Sequence, residues 1–410
     1  MPKRYSLPDA EALDRSDPLK SRRDLFALPD GIIYLDGNSL GALPRSVRAR
    51  VDEVVASQWG EGLIRSWNTH DWIDLPARVG DRIGRLIGAK PREVVVADST
   101  SVNLYKVLSV ALGQRLYCRK VVTERGNFPT DTYIIASVAR QFGLDVLEVD
   151  AADIPAALDG EVAALVLTEV NYRTGARHDM ASLTAAAQRA GAFAIWDLAH
   201  SAGAFPVDLT AAGADFAVGC GYKYLNGGPG APAFVYAAHR HHEGLRQPLS
   251  GWLGHARPFA FAASYEPAPG IDAMRVGTPP ILSMSALDAA LDAFEGVDLG
   301  QLKGKADQLT DIFIRELASL APELELLTPA DPDRRGSQVS FRFPEAYAVV
   351  QAMIAKGIIG DFREPDILRF GFAPLYLRHV EVWKAASVLG RIMQSRDWDR
   401  PQFKARAKVV

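Results

Sequence analysis

The chain has 410 residues, 48% of them hydrophobic, enough to bury a large core in about two or three domains. Its 46 Lys and Arg against 49 Asp and Glu exclude the one-sided charge of a nucleic-acid or anionic-membrane binder and leave a small molecule as the expected partner. No run approaches the ~18 uninterrupted apolar residues of a membrane span, and the start lacks the apolar centre of a signal peptide, so the expected location is cytoplasmic.

The first fifty residues hold one short strand-like run, IIYLD at 32–36, and a Gly- and Pro-rich turn. They cannot fold alone, so residues 1–50 are expected to pack on another unit, the small C-terminal one. A large domain is assigned to 51–285. Within it, β-rich runs alternate with stretches of helical period: VVVA at 94–97, VVTE at 121–124, DVLEVD at 145–150, AALVLTEV at 163–170, FAIWDLA at 193–199 and APAFVYA at 231–237. Their near-continuous apolar content, without strict alternation, predicts strands buried on both faces, hence a mostly parallel sheet covered by helices in an α/β fold.

Past Pro279 and Pro280 the texture changes, and residues 286–410 are assigned to a small α+β domain. Two amphipathic stretches lead to a strand at 338–343, the helix EAYAVVQAMIAKG, the extended pieces IIGDF and ILRFGF, and a last helix through LRHVEVWKAASVLGRIMQ. Cys118 and Cys220 sit in no metal-binding or disulfide spacing and are expected to be plain buried residues. The HRHH run at 239–242 is read as a solvated helix face rather than a metal site, and no metal is expected.

In chain order, the first chemically suggestive segment is ADSTSVN at 97–103. A strand ends, the hydroxyl residues Ser99, Thr100 and Ser101 follow, and a helix begins, which suits either an anion on the helix N-terminus or a simple cap. NFPTD at 127–131 presents Phe128 and Asp131 from a turn, to cover a flat ring or simply to shape the chain. Asp197 closes a run too apolar for a surface strand. A buried carboxylate there needs a cation, such as a pyridinium nitrogen or an arginine, unless it merely caps a helix. His200, three residues on, could orient that acid or a ring substituent.

Lys223, between two tyrosines in GYKYLNGGPG, could be a nucleophile toward an aldehyde. It stands 26 residues after Asp197 (223 minus 197), room for a helix and a return strand, which would place a pyridine ring between the two. Arg369, inside the apolar run DILRFGF, must be paired, either with a substrate carboxylate, the preferred reading, or with one of the chain's own acids.

With those residues in hand, the chain resembles the kynureninase family, within the fold type I group of pyridoxal phosphate enzymes. The matching blocks are YLDGNSLG at 34–41, STSVNLYKVL at 99–108, FPTD at 128–131, EVNYRTG at 169–175, WDLAHSAG at 196–203, GYKYLNGGPG at 221–230, GWLGH at 251–255, GTPPI at 277–281 and LRFGFAPLY at 368–376. They follow family order over nearly the whole chain.

The resemblance implies a large domain with a seven-stranded, mostly parallel sheet and pyridoxal 5'-phosphate held as a Schiff base on Lys223. Asp197 would face the pyridine nitrogen with His200 beside it, and Thr100, Ser101, Phe128, Pro129, Thr130, Asp131, Thr168 and Tyr222 would complete the cofactor site. Trp252 and Thr278 would reach the cofactor of a neighbouring subunit, implying a homodimer. Arg369 would hold the substrate α-carboxylate, with Asn38, Ser39 and Trp67 near the aromatic end. Tyr222 would be an acid or base for the carbonyl steps. Some relatives have Leu-Thr at the Thr100-Ser101 position and Asn at Thr278. Trp67 with Gly277-Thr278 looks like the bacterial branch, which favours L-kynurenine over its 3-hydroxy form.

The implied reaction is hydrolysis of the Cβ–Cγ bond to anthranilate and alanine. Two rivals stand beside it: another fold type I activity, such as a cysteine desulfurase or aminotransferase, and a catalytically silent scaffold of the same fold. Neither cysteine sits where a desulfurase needs a mobile nucleophile, and a silent scaffold would be expected to have lost one of Lys223, Asp197, His200 or Arg369.

Overall fold

The computed structural model of the chain describes residues 4–406. Its first helix, Leu7–Ser16, starts in a reciprocal cap between Ser6 and Asp9. The chain then reaches β1 (Ile33–Tyr34).

The apolar runs become β2 (Val94–Val96), β3 (Lys120–Glu124), β4 (Asp145–Val149), β5 (Val162–Thr168), β6 (Phe193–Asp197), β7 (Phe216–Cys220) and β8 (Ala233–Ala237). They make one seven-stranded sheet in the order β2-β8-β7-β6-β5-β3-β4. Neighbours from β4 to β7 run parallel, while β8 is antiparallel to both β2 and β7. Every residue of β5, β6, β7 and β8 is buried, which is why these runs lack alternation.

Helices Thr100–Gly113 and Pro129–Phe142 cover one face, packing Leu104, Val107 and Val138 onto Val121, Val166 and Val218. The other face packs Leu165, Leu167 and Trp196 with Val79, Ile83 and Leu287. Each such aliphatic side chain contributes about 1.5–3 kcal/mol when fully buried, so the strand ends that carry the site stand on a rigid platform.

One local expectation fails. Residues 198–215, between β6 and β7, form turns instead of a helix before the return strand. Gly203 at φ 84, Pro206 and Gly213 at φ 65 interrupt any helical backbone there.

The remaining strands are β9 (Glu325–Leu326), β10 (Gln338–Arg342), β11 (Ile358–Ile359), β12 (Asp361–Arg363) and β13 (Ile367–Gly371). An antiparallel sheet runs β12-β13-β10-β9, while β11 pairs in parallel with β1. Helices Leu299–Leu320, Ala346–Ile354 and His379–Ser395 pack with this sheet around Phe313, Phe341, Phe370 and Leu389.

The N-terminal residues lie along those helices. Arg4 pairs with Glu316 at 2.7 Å, Asp17 with Lys305 at 2.7 Å and Arg23 with Glu381 at 2.7 Å. Asp14 Oδ1 accepts the backbone N–H of His379 at 2.7 Å. The segment then crosses to the loop after β7, where the Gly41 N–H donates to the Tyr222 carbonyl at 2.8 Å. A Cβ on Gly41 would come within 2.3 Å of the Lys223 carbonyl oxygen, so only glycine permits this approach.

Two further readings need correction. Cys220 is buried, but Cys118 is only half-buried because it follows an exposed turn at Leu116 and Tyr117. The run at 239–242 forms a short 3-10 turn instead of a regular helix and is only partly solvated: His239 and Arg240 are exposed, while His241 and His242 are half-buried. His241 lies 2.8 Å from Asp215 and stacks on Phe216, His239 lies 3.2 Å from Glu93, and His242 is half-buried against the Ala237 carbonyl.

Candidate active site

Parallel register places Thr168, the last residue of β5, opposite Asp197, the last of β6. The loops after β3, β5, β6 and β7 converge at this carboxyl edge, where open α/β sheets bind ligands. They enclose a cleft of about 260 Å³ lined by Ser99, Thr100, Ser101, Phe128, Thr130, Asp131, Thr168, Tyr172, Asp197, His200, Tyr222 and Lys223, with Val170 and Ala199. A larger hollow of about 930 Å³, lined by Arg177, Met180 and Arg334 among others, contains none of the predicted residues. Size alone therefore does not mark the site; the convergence of titratable groups does.

Each wall has a local cause. Ser99 is the N-cap of helix Thr100–Gly113, its Oγ accepting the Val102 N–H at 3.4 Å. The capping and anion-site readings are therefore compatible: Ser99 caps, and Thr100 and Ser101 line the cleft from the first turn. Pro129 opens helix Pro129–Phe142 and aims Asp131 inward from its first turn without lining the cleft itself. Phe128 meets the Tyr172 ring edge-on at 5.2 Å. Lys223 Nζ lies 5.8 Å from the ring centroids of both Phe128 and Tyr222.

Asp197 is 5% exposed and Asp131 2%. Burial, then the neighbouring Asp197 charge, pushes the Asp131 carboxyl well above its ordinary range. Asp197 is also raised by burial and held back by Lys223 and by the Ala199 N–H, which donates to its Oδ1 at 2.7 Å. Burial pushes the His200 imidazole well below its usual value, with Lys223 and Arg369 adding to the effect. Burial raises the Tyr222 phenol, leaving it an O–H donor at neutral pH.

Arg369 stands apart from this group. Antiparallel register sets Asp361 of β12 directly opposite it on β13. Arg369 Nε donates to Asp361 Oδ1 at 2.8 Å, and NH2 donates to Asp361 Oδ2 and, at 2.8 Å, to Ser39 Oγ. Its NH1 reaches the cleft wall, donating to the Tyr172 carbonyl at 3.0 Å. The partner of Arg369 is thus one of the chain's own acids, with Arg363 NH2 on the same Asp361 at 2.7 Å. Beside them, burial and the Asp361 charge push Asp36 up to about 8.

Asn38 is buried because Gly371 leaves room for it; a Cβ on Gly371 would stand 2.0 Å from Asn38 Oδ1. Its Nδ2 donates to Gln338 Oε1 at 3.3 Å, and that oxygen lies 3.1 Å from His200 Nδ1. Trp67 meets Trp72 edge-on at 5.8 Å, outside the cleft lining. Trp252 is 38% exposed against Phe259, and Thr278 is exposed; neither touches this chain's own cleft.

Tyr172, Gln338, Asp361 and Asp36 were not foreseen. Acids ending or interrupting apolar runs, as in IIYLD and IIGDF, carry the signal that singled out Asp197, so Asp36 and Asp361 were findable. Gln338 and Tyr172 carry no such signal.

The residues fit pyridoxal phosphate. Among the described residues, Asp131 Oδ2 and Thr168 Oγ1 are buried in the cleft wall without a hydrogen-bond partner, an arrangement costly unless a ligand supplies one. A helix N-terminus stands ready for a phosphate, a buried carboxylate for a ring nitrogen, and a lysine for an aldehyde.

Comparison with known proteins agrees. Residues 302–389 match the family described as Kynureninase C-terminal domain. The chain is 52% identical to a kynureninase of Burkholderia mallei (strain SAVP1), over 98% of this chain and 99% of that one. It is 51% identical to a kynureninase of Pseudomonas fluorescens, with the same coverage. Among solved structures, a cysteine desulfurase from Thermococcus onnurineus NA1 superposes with a TM-score of 0.78 at 20% identity, covering 92% of this chain and 98% of that one. At that identity the likeness establishes the fold, that of the fold type I enzymes, and the full-length relatives establish the rest: the chain belongs to the kynureninase family.

Proposed function

We propose that the chain hydrolyses the Cβ–Cγ bond of L-kynurenine, and of 3-hydroxykynurenine less well, to anthranilate or 3-hydroxyanthranilate and L-alanine, with pyridoxal phosphate as cofactor. The observation that carries this reading is the juxtaposition of Asp197, Lys223 and two orphaned polar atoms in one cleft of a chain half identical to kynureninases along its whole length. A cysteine desulfurase reading finds no nucleophile: Cys220 is buried with its thiol raised by that burial, and Cys118 is absent from the cleft lining.

When bound, the cofactor supplies an electron sink that loosens both the substrate α proton and the Cβ–Cγ bond. Lys223 would hold the aldehyde and, with its amine free, would serve as the base for the substrate α proton. Asp197, with Asp131 beside it, would face the pyridine nitrogen and favour its protonated form. Thr100, Ser101 and the helix N-terminus would hold the phosphate, while Phe128, Thr130, Thr168 and His200 would shape the ring's bed and Pro129, outside the lining, would set the turn that carries Thr130 and Asp131. Tyr222 donates its phenolic proton during the carbonyl steps. One water is consumed at the γ carbonyl, its oxygen ending in the anthranilate carboxylate.

Arg369, assisted by Ser39, takes the substrate α-carboxylate, and Asn38 and Trp67 flank the aromatic end. Trp252 and Thr278 are exposed and serve the cleft of a second copy, so the working form is a cytoplasmic homodimer. No helix among the described residues is long and apolar enough to cross a membrane. We divide the chain into residues 1–50 on the small domain, a large domain at 51–285 and a small domain at 286–410.

Incubation with L-kynurenine should release fluorescent anthranilate and one equivalent of alanine. Release of sulfide from cysteine, with neither anthranilate from L-kynurenine nor 3-hydroxyanthranilate from its 3-hydroxy form, would overturn the assignment.

A further inference from the structure

Gln338 lies on β10 and is 1% exposed, yet all its polar atoms are engaged by different parts of the molecule. Its Oε1 accepts from Asn38 Nδ2 at 3.3 Å and lies 3.1 Å from His200 Nδ1. Its Nε2 donates to the Tyr172 carbonyl at 2.9 Å and to Ser340 Oγ at 3.2 Å. Three separate stretches of chain, around Asn38, Tyr172 and His200, meet at this one amide.

The amide has no freedom to flip. A backbone carbonyl only accepts, so the side facing Tyr172 must be the NH2 group, and the oxygen must face His200. A ring nitrogen at 3.1 Å from a carbonyl oxygen makes a hydrogen bond only if it carries the proton. We propose that Gln338 is a positioning residue that locks His200 as the Nδ1–H tautomer, leaving Nε2 as an unprotonated acceptor at the wall of the cleft.

His200 lines the cleft beside Ala199, Asp197 and Lys223, and among the described residues no protein group is bonded to its Nε2. The nearby charges that act on the ring, from Lys223, Arg369 and Arg363, are all cationic. They disfavour an imidazolium, and Gln338 then selects between the two neutral forms. A neutral acceptor at Nε2 can receive an O–H or N–H from whatever occupies the cleft; the other tautomer would present a donor there.

The same contact joins the two ends of the site. Arg369 NH1 donates to the Tyr172 carbonyl at 3.0 Å, the oxygen that orients the Gln338 amide. The guanidinium expected to take the substrate carboxylate and the amide that sets His200 are therefore held by one atom.

The test is a long-range 15N–1H spectrum of the full chain labelled on its eight histidines, with and without pyridoxal phosphate, His200→Asn identifying the signal. The expected pattern is a protonated Nδ1 and an unprotonated Nε2 at pH 7. A protonated Nε2, or an imidazolium, would overturn the proposal. Gln338→Met keeps the volume but removes the acceptor, and should release His200 into exchange between tautomers while kcat falls about 10- to 100-fold, as when the outer partner of a site ligand is lost. An unchanged spectrum in Gln338→Met would also refute the assignment. The kinetic arm rests on the hydrolase reading above; the spectra do not, so a failure of one is told from a failure of the other.

Discussion

The two ends of the cleft hold charge in opposite ways. At the sheet end, among the described residues, Asp197 has no ion-pair partner within 4 Å; beside it stand Asp131, whose carboxyl burial pushes well above its ordinary range, and one backbone N–H donor. At the far end, Arg369 and Arg363 are already closed on Asp361, with Ser39 filling the remaining valence. The first arrangement is costly without a ligand and is completed when one arrives. The second is complete in the free protein and must be opened. A resident cofactor suits the former and a substrate that comes and goes suits the latter, since a site already satisfied releases its ligand readily.

The contrast breaks most visibly at Lys223. Lys223→Ala should lose the absorbance of the bound cofactor and lower turnover by at least about 10⁴-fold, since a covalent anchor and a base disappear together; retention of normal turnover would show that the sheet end is not the chemical end. Asp197→Asn keeps the shape but not the charge, and kcat should fall by about 10²- to 10⁴-fold. Burial would then no longer press a charge against Asp131, whose carboxyl should titrate lower than in the parent, a difference that infrared spectroscopy of the carboxyl band can read.

At the opposite end, Arg369→Lys should raise KM for kynurenine by about 10- to 100-fold with a smaller change in kcat, because a single ammonium cannot serve Asp361, Ser39 and a carboxylate at once. A fall in kcat at constant KM would blur the distinction between the two ends.

The smallest effect is expected on stability. Asp36 is raised from an ordinary carboxyl value to about 8, so the folded protein holds this proton more tightly than the unfolded chain. Its contribution is fully present below about pH 4 and is lost as pH climbs toward 8. Asp36→Asn removes that loss. The variant's unfolding free energy from urea titration should therefore gain on the parent's by a margin that widens from about pH 4 to 8 and then levels, on the order of a few kcal/mol. A margin independent of pH would mean that Asp36 is ionised throughout.

The sheet end was largely legible in the sequence, and the far end was not. Buried parallel strands announce themselves as apolar runs, and a charged residue closing one, such as Asp197, stands out. Ser99 to Ser101 and Phe128 to Asp131 follow strands that are equally plain. The far end depends on pairings across the chain. Arg369 meets Asp361 because β12 and β13 are antiparallel in one register, and Ser39 meets both from 330 and 322 residues away. Nothing local encodes that. Gln338 lies in a strand that was read correctly, but a glutamine in a strand looks the same whether it faces water or organises a site. The missing helix before β7 is the converse case: spacing allowed it, and the Gly and Pro residues there argued against it.

The strap formed by residues 38–41 also bears on how the enzyme is made. Asn38 and Ser39 leave the ribosome some 300 residues before Gln338 and Arg369, their partners across separations of 300 and 330 positions. At about 5–20 residues per second, that is tens of seconds in which the large domain can form while the carboxylate end cannot. Newly made chains should therefore pass through a stage able to take up cofactor but unable to grip substrate, with activity appearing only after the last strand is in place.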